Sequence, residues 1–115
     1  MKQKPLAKEI ENLSTTIDVS AGETLCREGE LAREAMLIVD GSAEVLRDGE
    51  QVATVGTGEL VGELALDNDD HMRTATVRAT SDCVVAVMSA REFATLRRSS
   101  KQFAALLDAT IDART

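Results

Sequence analysis

The sequence predicts a mainly β domain, a sandwich or barrel-like roll, with helix at both ends. Three observations carry this. Short β-forming segments recur between residues 16 and 89, separated by glycine turns and Asp-Gly pairs. Helical periodicity is confined to the two ends of the chain. Phe93 and Phe103 are the only aromatic residues in 115, so Leu, Val, Ile, Ala and Met must build the core.

The elements follow in order. LAKEIENL (6–13) places Leu6, Ile10 and Leu13 on one helical face, and Ser14 ends the pattern. TTIDV is β-rich, Gly22 marks a turn, TLC is a short strand, and REGE turns again at Gly29. AMLIVDG is an apolar run closed by Asp-Gly. SAEVLRDGE alternates and reaches Asp48-Gly49, a strong hairpin signal. QVATVGTGEL gives a strand carrying Val52 and Val55, then turns at Gly56 and Gly58; RTATVRA and CVVAVMS read as two more strands. Ser89 with Glu92, and Ser99 with Gln102, each fit a capping box opening a helix. Phe103, Leu106, Leu107, Thr110 and Ile111 form a helical stripe that must pack on its own roll or on a second copy.

A chain of 115 residues suits one domain with its own core. The net charge of −7 argues against nonspecific nucleic-acid binding, which needs clustered Lys and Arg, and against an anionic membrane surface. One local anion site remains compatible with it. Cys26 and Cys83 lack a CxxC spacing and read as buried thiols in a reducing compartment. The N-terminus has no long apolar run, so neither a signal peptide nor a membrane span is expected, and a cytoplasmic location follows.

The chemistry concentrates in GELALDNDDHMRTATV, residues 62–77. Gly58 and Gly62 let backbone approach a ligand closely. A short helix starting at Glu63–Leu66 would turn unpaired N–H groups toward an anion. Ionised Glu63 accepts hydrogen bonds from a sugar hydroxyl, and Arg73 suits a phosphate oxygen through charge-assisted, bidentate bonds. A ribose phosphate needs both. The competing reading is a solvated loop with a surface Arg–Asp pair, worth about 0–1 kcal/mol.

Residues 16–113 resemble a cyclic nucleotide-binding domain, the effector domain of the catabolite activator protein type also found in cyclic-nucleotide-dependent kinases. The resemblance runs through AGETLCREGE, MLIVDGSAEVLRDGE, GELAL and RTATV. Its most specific part is the phosphate-binding cassette, matched by Gly62, Glu63, Leu64, Ala65 and Leu66 and then by Arg73, Thr74 and Ala75. Val61 stands where the family usually has Phe, and the linker DNDDHM is unusually acidic. The resemblance implies a double-stranded β-helix, a jelly-roll-like β-roll of about eight strands. It implies Glu63 on the ribose 2′-hydroxyl, Arg73 on the cyclic phosphate, the amides of Leu64 and Ala65 beside the phosphate, and Thr74 near phosphate or purine. The ligand implied is cAMP or cGMP, with cAMP favoured; a hydroxyl at Thr74 can serve either base.

Other chemistries fit less well. Read as a calcium loop from Asp67, the acidic run puts Met72 and Arg78 where Gly and Glu belong. His71 alone cannot make a zinc site, and neither it nor Cys26 sits in a catalytic pattern. No metal, redox cofactor or enzymatic activity is expected.

The sequence thus reads as one domain over 1–115: an N-terminal helix in 1–15, a β-roll in 16–89 holding the cassette at 62–75, and C-terminal helices in 90–113. A sensor is expected, in which the ligand orders residues 63–73 and moves the C-terminal helices against a protein partner or second copy. No helix-turn-helix follows, so direct DNA binding is not expected. The rival expectation is a ligand-free β-roll that serves as an interaction scaffold. Arg73→Ala is expected to abolish binding in the sensor with little loss of stability.

Overall fold

The computed structural model describes Ile10, residues 14–62 and residues 72–114. The described strands are β1 (Thr15–Val19), β2 (Thr24–Cys26), β3 (Glu34–Asp40), β4 (Ser42–Arg47), β5 (Glu50–Gly56), β6 (Leu60–Val61), β7 (Thr76–Ala79) and β8 (Cys83–Ser89); α1 (Ala90–Ser99) and α2 (Lys101–Arg114) follow. They form two antiparallel four-stranded sheets, ordered β1-β8-β3-β6 and β2-β7-β4-β5. Apart from the β4–β5 hairpin, neighbours in each sheet come from distant parts of the chain, as in a jelly roll. The helix expected at 6–13 lies outside the described residues except for Ile10, which is helical and fully buried.

The apolar run of β3 is explained by burial on both faces. Met36 and Ile38 point between the sheets, with Val19, Val55, Val77 and Val85. Ala35 and Leu37 point the other way, into a second core with Ile10, Leu60, Met88 and the helices. Strand β8 divides likewise: Cys83 and Val85 face the roll, Ala86 and Met88 the helices. The register Leu37↔Ala86 and Ile38↔Val85 sets these faces opposite one another, because alternate side chains of a strand leave by opposite faces. Both cysteines are buried.

The β4–β5 hairpin turns at Asp48 (φ 53°) and Gly49 (φ 82°). Positive φ at both central positions matches the twist of the flanking strands, which is why Asp-Gly serves here.

Ser89 caps α1 with its hydroxyl accepting from the Glu92 amide, and the Glu92 carboxylate accepts from the Ser89 amide. The second expected cap is displaced by one residue. The Ser99 hydroxyl donates back to the Thr95 carbonyl. Ser100 has extended backbone (φ −115°, ψ 113°) and its hydroxyl accepts from the Phe103 amide at 3.1 Å. Ser100 is therefore the N-cap of α2, because the cap residue must leave helical φ/ψ.

Phe103 and Leu107 of the helical stripe are fully buried against their own chain. Phe103 meets Phe93 edge to face, with centroids 5.5 Å apart and planes at 85°. Among the described residues, no helix is long and apolar enough to cross a membrane.

Candidate functional site

Arg73 is a charged side chain only 8% exposed. Burial of a guanidinium is costly unless its N–H groups find acceptors. Here Nη1 donates to the Gly62 carbonyl at 3.1 Å and Nη2 to the Glu34 carbonyl at 2.9 Å. Its backbone is fixed too: the Arg73 amide donates to the Glu30 carbonyl at 2.8 Å, and the Gly29 amide donates to the Arg73 carbonyl at 2.9 Å. Next to these, Leu31 and Met72 form an antiparallel bridge. The sequence RTATVRA is thus a strand only from Thr76. Residues 73–75 leave the sheet because the main chain of Arg73 pairs with the turn at 29–30 instead of with β4.

Gly62 makes this arrangement possible. Its φ is +80°, and an added Cβ would lie 2.2 Å from Arg73 Nη1. The close approach that the glycine permits is to the arginine. Val61, in place of a larger side chain, is 2% exposed and fills the inter-sheet core.

Arg73 lines a cleft of about 510 Å³. The other described lining residues are Thr24, Leu25, Cys26, Arg27, Glu30, Leu31, Arg33 and Glu34. This volume lies inside the range of small-molecule sites, roughly 300–1,000 Å³. Arg27 and Glu30 approach at 3.9 Å, both largely in solvent. Leu31, at 60% exposure, and Met72, at 37%, put apolar surface beside these charges.

Of the expected site residues, Gly62 and Arg73 are brought into contact. Thr74 and Ala75 follow them in the chain and are not among the residues that line the described part of the cleft. Thr74 is exposed, and its carbonyl accepts from Arg47 Nε at 3.2 Å. Glu63, Leu64 and Ala65 lie outside the described residues, as do Asp67, Asp69, Asp70 and His71. The sequence reading missed the 27–34 wall of the cleft. REGE registers as a turn, and the signal that could have exposed its second role is a pair of arginines, Arg27 and Arg33, six residues apart in an acidic chain.

Comparison with known proteins bears on this geometry. The family model of the cyclic nucleotide-binding domain matches residues 16–100. A cAMP-dependent protein kinase regulatory subunit of Schizosaccharomyces pombe is 33% identical over 87 residues, covering 75% of this chain and 21% of that protein. A cyclic nucleotide-gated potassium channel of Rhizobium etli is 35% identical over 86 residues, covering 75% of this chain and 24% of the channel. The chain therefore spans about a fifth to a quarter of these relatives. The catabolite activator protein of Thermus thermophilus superposes with a TM-score of 0.79 at 23% identity, covering 94% of this chain and 53% of that one; this likeness is one of fold.

Proposed function

This chain belongs to the cyclic nucleotide-binding domain family, and from that premise we propose that it is a sensor of cyclic mononucleotide, cAMP in preference to cGMP. The observation that carries the reading is Arg73: a buried guanidinium, held by two carbonyls and standing in the wall of a ligand-sized cleft. A guanidinium has more donors than these carbonyls use, and charge-assisted bonds to a phosphate are the interaction such a group makes best. Arg73 takes the cyclic phosphate, with the amides of Leu64 and Ala65; Glu63 accepts from the ribose 2′-hydroxyl. The Thr74 hydroxyl adds a bond to the phosphate. The fixed backbone of Arg73 and Gly62 supports pre-organisation, which lowers the cost of binding. Output passes to a protein partner through the C-terminal helices, and it requires different affinities in two states of the domain.

Calorimetric titration of nucleotide-stripped protein with cAMP, cGMP and AMP tests this. Saturable binding of cAMP, weaker binding of cGMP and none of AMP is the expected result. No heat and no thermal shift with any of them at millimolar concentration would overturn it. The scaffold reading would then stand, since the two carbonyl bonds employ Arg73 in holding the fold even without a ligand.

A further inference from the structure

We propose that Arg47, at the end of β4, is a positioning residue that sets the orientation of Thr74 toward the ligand; the inference rests on the cyclic-nucleotide reading above. Thr74 lies before the start of β7, outside the ladder. Its neighbours are nevertheless fixed. Arg73 is held through its amide and carbonyl by the 29–30 turn, and the Thr76 hydroxyl accepts from the Glu28 amide at 3.0 Å. The Thr74 carbonyl is held by Arg47, whose Nε donates to it at 3.2 Å. Arg47 is itself stationed: it ends β4 beside Asp48, whose amide donates to Glu28 Oε1 at 3.0 Å. Turn, hairpin tip and cassette end thus form a closed ring of hydrogen bonds. The direction of a carbonyl fixes the plane of its peptide unit. Holding the Thr74 carbonyl therefore limits ψ of Thr74 and, through the backbone, where its hydroxyl points.

The side chain of Gln carries an amide nitrogen at the same bond distance from Cα as Arg Nε; Met matches the length with no donor. Titration of cAMP against the wild type, R47M, R47Q, T74A and the R47M/T74A double variant separates orientation from charge. R47M should lose about tenfold in affinity, the scale of one directed hydrogen bond. R47Q should stay within about twofold, and R47M should have no further effect once the Thr74 hydroxyl is absent, because the two then act as one unit. Melting temperatures should be nearly unchanged, as Arg47 is exposed. Wild-type affinity in R47M, an equal loss in R47Q, or losses that multiply in the double variant would each overturn the inference. A wild type that binds no cyclic nucleotide removes the function and the inference together. A wild type that binds, with R47M unchanged, removes the inference alone.

Discussion

Gly62 and Arg73 share one small volume: a side chain at position 62 would begin 2.2 Å from Arg73 Nη1 and 3.2 Å from Cζ. The same Nη1 donates to the Gly62 carbonyl at 3.1 Å. Only a residue with no Cβ leaves the guanidinium this seat. The pair joins the last residues of β6 to the far end of the cassette, so backbone conformation at one end decides the position of the charge at the other.

Gly62→Ala should therefore act on both stability and binding. Its φ of +80° costs an L-residue roughly 1–2 kcal/mol, and displacing Nη1 sacrifices a charge-assisted bond worth about 1.5–3 kcal/mol. Urea denaturation should show a loss of about 2.5–5 kcal/mol, and cAMP affinity should fall by about tenfold or more. A neutral effect would mean that Arg73 has a second seat as good as this one.

Arg73→Ala can no longer be expected to spare the fold. The guanidinium is buried and serves two backbone carbonyls, so truncation leaves the acceptors on Gly62 and Glu34 without that donor. A cost of about 2–4 kcal/mol follows. Arg73→Lys keeps the charge but not the planar fork. It should recover about half of that stability while still binding cAMP about tenfold more weakly than wild type. Stability by denaturation and affinity by calorimetry, measured on both variants, separate the structural from the binding role.

Ser100→Ala should cost about 1 kcal/mol by removing the side-chain acceptor for the Phe103 amide. Ser99→Ala should fall within about 0.5 kcal/mol of wild type, because that hydroxyl only bonds back to the Thr95 carbonyl on an exposed face. Thermal unfolding of the two variants side by side checks the assignment of the cap.

This cap shows where sequence reading stops. Ser99 and Ser100 are adjacent and chemically identical, and the choice between them falls to whichever must leave helical φ/ψ so that Phe103 can reach the core beside Phe93. Most strands were legible because glycine turns and Asp48-Gly49 punctuate them locally, whereas the two-residue β6 (Leu60–Val61) was not read as a strand. The family pattern reached Gly62 and Arg73, but not their contact with each other. That contact depends on the Glu34 carbonyl and on the 29–30 turn, which are distant in sequence and act through backbone groups that every residue possesses. Side-chain identity leaves no trace of such bonds. The wall at Arg27–Glu34 was hidden for the same reason: its place at the cleft follows from strand pairing across the roll.

Thr74→Ala distinguishes two uses of one hydroxyl. Thr74 is exposed and does not line the described part of the cleft, while its carbonyl is held by Arg47. A hydroxyl bonded to the cyclic phosphate recognises a group that cAMP and cGMP share, so its removal should weaken both by about tenfold and leave their ratio unchanged. A hydroxyl bonded to the guanine amino group would weaken cGMP alone, since adenine lacks that donor. The expected outcome is the equal loss, measured as paired titrations of the two nucleotides on wild type and variant. A selective loss of cGMP would move Thr74 from the phosphate to the base.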